Sequence, residues 1–222
     1  MPRIGIVVLA AGQAIRFGGA RDNKLLAALA GIPLVRWAVT AAVEADVGEV
    51  LVVTGAKGRD VAAALDRLPV QIVHEPGFAN GIATSLCRGI RAIQEADAAM
   101  IGLGDQPGMR PEAYRRLATR WQTTRAPIVI PRYAGSLSPA HPALFGAALF
   151  EELLALRGDA GARAVIARDA SRVVEEPLEW FAPPDVDTLD DLRALETEQS
   201  QLRVRPPAPL QEPRPTETGD SR

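Results

Sequence analysis

The segment Leu9-Ala10-Ala11-Gly12-Gln13-Ala14-Ile15-Arg16-Phe17-Gly18-Gly19, with Lys24 shortly after, combines small residues with two cations. Small side chains let backbone N–H groups come close to a polyphosphate, and Arg16 and Lys24 bring fixed positive charge to the same oxygens. A second segment, Gly102-Leu103-Gly104-Asp105-Gln106-Pro107, offers a carboxylate in a tight loop, and a third, Asp185-Val186-Asp187-Thr188, offers another. Mg²⁺ prefers one or two carboxylates plus substrate phosphates, so Asp105 and Asp187 are together a candidate donor pair for a metal–triphosphate complex. A lone turn aspartate or a helix cap would use the same residue types, so either acid alone says little.

These residues need a frame. Apolar, β-branched runs at Ile4 to Leu9, Val50 to Val53, Val70 to Val73, Ala98 to Leu103 and Ile128 to Ile130 predict strands buried on both faces. Helical patterns alternate with them, at about Leu34 to Ala45, Arg59 to Leu68, Ile82 to Ala96, Pro111 to Gln122 and Ala147 to Leu156. A further strand is expected over Arg172 to Glu176, and a last helix, capped by Asp187 or Thr188, through Leu195. Strand alternating with helix predicts a three-layer α/β/α fold around a mainly parallel sheet. In such sheets ligands bind beyond the carboxyl ends of the strands, which is where the loops after Leu9 and Leu103 fall.

Composition bounds the function. With 222 residues and 47% hydrophobic content the chain can bury one substantial core. Its 25 basic and 27 acidic residues leave a formal charge of -2, which argues against bulk DNA or RNA as a partner. The single cysteine, Cys87, excludes an internal disulfide framework and a cysteine zinc cluster and suits a reducing cytosol; in its helical context it reads as a small core residue. Trp37, Trp121 and Trp180 lie in or beside apolar patterns and are expected in the core. The N-terminus shows no signal-peptide pattern and no apolar run reaches the ~20 residues that span a bilayer, so a soluble cytoplasmic protein is expected. From about Gln199 the chain becomes proline-rich and nearly free of large apolar residues, giving a domain over 1–198 and a tail over 199–222 that is expected to be disordered. Truncation after Glu198 should leave the melting temperature and the activity unchanged; a marked loss of either would show that the tail docks on the domain.

Two common phosphate motifs are absent. Gly12 is followed by Gln13-Ala14, which breaks the dinucleotide fingerprint, and no Lys-Ser/Thr follows Gly18, which breaks the P-loop. The pattern LAAGxxxRFG with a downstream lysine instead resembles the signature of NTP-dependent nucleotidyltransferases that build nucleotide conjugates, most closely the molybdenum cofactor cytidylyltransferases. The resemblance runs from about Ile4 to Leu195 and implies a Rossmann-like nucleotidyltransferase fold. GDQP is similar to the family's metal loop, and VDTLDDL to its late D-[IV]-D-T-x-x-D segment, which assigns Mg²⁺ to Asp105 and Asp187.

The resemblance also implies that Leu9, Ala10, Ala11, Gly12, Arg16 and Lys24 bind the nucleotide. Gly81 and Ser85, in a stretch similar to G-x-x-x-S-L, would meet base and ribose, although an ordinary helix start capped by Asn80 would use the same residues. His141, in a stretch similar to G-[HN]-P-x-L-F, and Arg163, in G-D-x-G-A-R, fall on the acceptor side; a loop histidine satisfied by backbone is an equal reading of His141. Glu75 stands where the family usually has asparagine, and Ala140 where glycine is usual. The implied reaction joins an NTP to a molybdopterin-type cofactor with release of pyrophosphate, Arg16, Lys24 and Asp105 being catalytic. Ala11, where GTP-using members tend to have glycine, favours CTP. A molybdoenzyme or its chaperone would receive the product. The rivals are a guanylyltransferase of the same cofactor, a sugar- or polyol-phosphate nucleotidyltransferase, and a non-catalytic carrier of the cofactor.

Overall fold

The computed structural model describes residues 2–12, 23–136 and 140–202. Arg16 and the proline-rich residues 203–222 therefore lie outside the described residues. The first strand, β1 (Ile4–Ala10), is buried along nearly its whole length, and that double-sided burial explains its lack of polar alternation. Next come a short hairpin, β2 (Ala28–Leu29) and β3 (Ile32–Pro33), then α1 (Leu34–Glu44), β4 (Glu49–Thr54), α2 (Gly58–Ala64), β5 (Val70–His74), α3 (Ile82–Ala92), β6 (Ala98–Leu103), α4 (Pro111–Thr124) and β7 (Ile128–Tyr133). The chain closes with β8 (Ala143–Gly146), α5 (Phe150–Leu154), α6 (Arg163–Ile166), β9 (Val173–Leu178) and α7 (Leu189–Leu202).

Seven strands form one sheet in the order β5-β4-β1-β6-β8-β7-β9. All neighbours are parallel except β8, which runs antiparallel to both β6 and β7. Alternate residues of β1 serve opposite faces. Ile6 and Val8 join Val35, Val39, Tyr114, Leu117 and Trp121 on one side, and Val7 joins Leu86, Ile90, Phe150 and Leu153 on the other. Helices α1 and α4 therefore cover one face and α3 and α5 the other, which is the expected three-layer α/β/α arrangement. A third, smaller cluster of Leu29, Ile32, Leu34, Trp37, Val186, Leu192 and Leu195 docks α7 onto the hairpin and the start of α1.

Several expectations change. Val70 to Val73 was expected to be buried on both faces, but β5 is an edge strand paired only with β4, and Gln71 and Ile72 are exposed. β8 and the hairpin were not expected: four and two residues are too few for a periodicity to show, and β8 is revealed only by its pairing with the distant β6 and with β7. The pattern over Ala147 to Leu156 forms a 3₁₀ turn, Ala147–Leu149, followed by only five α-helical residues. α7 runs beyond Leu195 and across the Glu198 boundary to Leu202. Cys87, Trp37 and Trp121 are buried as expected, whereas Trp180 is only partly buried and carries the Arg110 guanidinium over its ring at 5.2 Å. Among the described residues no helix is long and apolar enough to cross a membrane.

Candidate functional site

Because β1 lies between β4 and β6, successive crossovers leave it in opposite directions, and the crevice at its carboxyl end is the topological switch point of the sheet. A cavity of about 520 Å³ opens there. Leu9, Ala11 and Gly12 from the end of β1 line it, with Gly81 and Ser85 from the start of α3. Lys24, Asp105 and Asp187 complete the group, so three segments distant in sequence meet in one cleft.

Each of the three charged residues is held from outside. The Gly104 N–H donates to the Leu9 carbonyl at 2.9 Å, extending the β1–β6 pairing and setting Asp105 just beyond the sheet. Lys24 begins a 3₁₀ turn, Lys24–Leu26, capped by Asn23. The buried Asn23 side chain accepts from the Leu25 N–H at 3.0 Å and donates to the Ala56 carbonyl at 3.1 Å, tying this turn to the exit of β4. Asp187 precedes α7, whose cap is Thr188: its Oγ1 accepts from the Asp191 N–H, while the Asp191 carboxylate accepts from the N–H groups of Asp187 and Thr188 at 3.0 and 2.7 Å. That reciprocal exchange is a capping box with aspartate at the third position.

At the centre the Lys24 ammonium donates to Asp105 Oδ2 at 2.7 Å and to Asp187 Oδ1 at 2.6 Å. Burial works against the charge on Lys24, but the Asp105 charge and hydrogen bond, reinforced by Asp187, outweigh it and raise its pKa above the ordinary lysine value. Lys24 is therefore a cation at neutral pH in this cleft. The two carboxylates converge closely enough to share one cation, and Asp105 Oδ1 is buried with no hydrogen-bond partner. An orphaned carboxylate oxygen beside a second carboxylate fits a hard divalent ion that completes its shell with substrate phosphate oxygens. Among the described residues no third His, Cys, Asp or Glu joins them in a metal-ligating group.

Gly81 is required by its conformation and its surroundings. Its φ is 104°, and a Cβ there would lie 2.2 Å from the Gly158 carbonyl oxygen, which accepts from the Ala83 N–H at 3.0 Å. The segment read as bordering the acceptor thus packs on the start of α3, and Asp159 shares the cavity with Gly81 and Ser85. Sequence reasoning did not single out Asp159, Phe78 or Ile82 as lining residues, nor Asn23 as the brace of Lys24. Asn23 beside Lys24 was the one available signal, since asparagine is a favoured cap.

Ala10 is buried in the sheet and does not line the cavity; its role there is to hold the strand. His141 and Arg163 do not line it either. His141 Nδ1 lies 3.2 Å from the Ile101 carbonyl, and burial depresses the imidazole pKa despite that hydrogen bond. The exposed Arg163 guanidinium pushes in the same direction as burial, while Asp185 and Asp105 pull the other way. His141 thus feels the charge of Asp105 without a hydrogen bond to it. Arg16 lies outside the described residues.

The chain matches the model of the MobA-like NTP transferase domain over residues 6–173. It is 30% identical over 215 residues, 89% of this chain and 94% of the relative, to a protein of Thermococcus kodakarensis named as a probable molybdenum cofactor guanylyltransferase. Rv0371c of Mycobacterium tuberculosis H37Rv, solved as a complex with manganese, superposes with a TM-score of 0.74 at 27% identity, covering 88% of this chain and 98% of that one. A nucleotidyl transferase of Methanothermobacter thermautotrophicus shares the fold with a TM-score of 0.75 at 24% identity, covering 90% of this chain and 99% of the other. A switch-point crevice that gathers a lysine and two carboxylates, in a chain matched over most of its length, leads to one conclusion: this chain belongs to the MobA-like NTP transferase family and is a nucleotidyltransferase.

Proposed function

We propose that this protein is a cytosolic, Mg²⁺-dependent enzyme that transfers CMP from CTP to the phosphate of a molybdopterin-type acceptor and releases pyrophosphate. The observation that carries the reading is the convergence of Lys24, Asp105 and Asp187 in one cleft at the end of β1. Asp105 and Asp187 would hold the metal, which when bound gathers charge at the α-phosphate. Backbone N–H groups of the loop after Leu9 cradle the phosphates, and Lys24, with Arg16, neutralises the pyrophosphate as it leaves. Ser85 offers its hydroxyl to the nucleoside end of the cavity. The acceptor phosphate is already ionised at neutral pH, so no protein base or nucleophile is required, and rate enhancement comes from positioning and fixed charge. Balance is simple: a phosphate oxygen bonds to the α-phosphorus as the bond to the β-phosphate oxygen breaks. A molybdoenzyme or its chaperone is the natural consumer of the product.

CTP preference is supported by Ala11. Ala11 lines the cavity, and its carbonyl oxygen lies 2.7 Å from the place where a Cβ on Gly55 would sit. Glycine at 55 thus lets the Ala11 backbone seat against the end of β4, and in this reading the Ala11 methyl narrows the space for a larger base. Steric discrimination of this kind amounts to about 1–3 kcal/mol, roughly tenfold to two-hundredfold, so the choice is graded. Ala11→Gly is expected to raise kcat/KM for GTP relative to CTP by about tenfold or more. The relative named as a guanylyltransferase favours a second reading, with GTP as donor. Pyrophosphate release measured with each NTP, with and without molybdopterin, decides: GTP preference in the wild type replaces cytidylyl by guanylyl transfer. If none of the NTPs gives pyrophosphate with this acceptor, the sugar-phosphate and carrier readings return.

A further inference from the structure

We propose that Gln106 is a positioning residue that holds the Asp187-bearing segment against Asp105 and so assembles the carboxylate pair. The inference rests on the metal reading of Asp105 and Asp187 given above and assigns it a support outside the pair.

Asp187 has a difficult placement. Its side chain is 53% exposed, it arrives on an irregular segment, and its partner is far away in the chain. Free rotation of such a segment would spread the carboxylate over many positions, and a metal site tolerates little of that. On its C-terminal side the segment is fixed by the Asp191 carboxylate, and beneath it Val186 is fully buried among Leu29, Trp37 and Leu192. On the side facing the metal loop there are two ties. The Val186 N–H donates to the Asp105 carbonyl at 3.2 Å, and Gln106 Nε2 donates to Asp185 Oδ1 at 2.7 Å.

The Gln106 bond differs from the first in being selectable. Gln106 is only 6% exposed, and its Oε1 is buried without a hydrogen-bond partner. A buried amide with one half unsatisfied carries a cost that an apolar residue of the same size would avoid. What the amide does in return is donate a charge-assisted hydrogen bond to a carboxylate two residues before Asp187. A glutamate at 106 would keep the shape but set a second negative charge against Asp185 and beside Asp105, driving the two segments apart.

The experiment is Mn²⁺ binding, followed by the loss of the free-ion paramagnetic resonance signal, on the whole chain without nucleotide. Gln106→Glu should weaken Mn²⁺ binding by about 10–100-fold, the range for residues that orient metal ligands without touching the ion. Exchanging the partners, Gln106→Glu with Asp185→Asn, restores a donor facing a carboxylate and should recover most of that loss. Asp185 is exposed, so Asp185→Ala supplies a variant that folds regardless of how Gln106→Glu behaves, and it should show the same weakening. Wild-type affinity in Asp185→Ala, or an exchanged pair no better than Gln106→Glu alone, overturns the inference, as does a lowered melting temperature with unchanged Mn²⁺ affinity. Failure of the wild type itself to retain Mn²⁺ overturns the metal reading and this inference with it, which separates the two.

Discussion

Asp105→Asn is expected to lower kcat for pyrophosphate release by about 10³-fold, since a bound metal supplies several kcal/mol of transition-state stabilisation and each 1.36 kcal/mol is tenfold in rate. The substitution keeps the volume of the side chain and removes its charge. Asp105 gives one oxygen to Lys24 and leaves the other buried and unpaired, so the loss falls on the donor pair rather than on the packing. Lys24 keeps Asp187 as a partner at 2.6 Å, and the core clusters on either side of the sheet do not include Asp105. The variant should therefore melt close to the wild type. A folded Asp105→Asn protein that releases pyrophosphate at most of the wild-type rate would remove Asp105 from the metal site.

Lys24→Met should lower kcat/KM by about 10²–10³-fold, the cost typical of deleting one fixed group that stabilises charge developing in a transition state. Methionine approximates the length of the side chain without its ammonium. Without metal the two aspartates raise the Lys24 pKa, so the ammonium stays charged in the neutral range and the variant removes a charge that titration there cannot. A second signature follows from the geometry. Asp105 and Asp187 both lie within hydrogen-bond reach of this one ammonium, so without it the two carboxylates have no ion-pair partner among the described residues. Their repulsion disfavours the folded state, and a divalent ion relieves it. Added Mg²⁺ should therefore raise the melting temperature of Lys24→Met by more than that of the wild type. Equal responses to Mg²⁺, together with wild-type turnover, would place Lys24 outside the phosphate and metal site.

The residues able to do chemistry were legible from the letters because each sits in a local pattern whose physics is local. A strand followed by small residues and cations, an aspartate after the apolar run Ala98 to Leu103, and an aspartate before a capped helix are short-range signatures. The same holds for the frame, since long apolar runs separated by 3.6-residue periodicity specify strands and helices without reference to their neighbours. Tertiary structure decided what depends on pairing across the chain. The antiparallel β8 wedged between β6 and β7, the edge position of β5 that exposes Ile72, and the Asn23 brace on Ala56 all require a partner that no local window contains. So does the site itself. That Asp105 and Asp187 share one ammonium, that Gln106 ties Asp185 to the metal loop, and that Asp159 lies beside Gly81 follow from burial of Val186 and from the close packing of Gly158 on α3. Residue type and spacing determined which groups are available for phosphate chemistry; long-range hydrophobic burial determined which of them meet, because only the packed core brings segments so distant in sequence within hydrogen-bond reach.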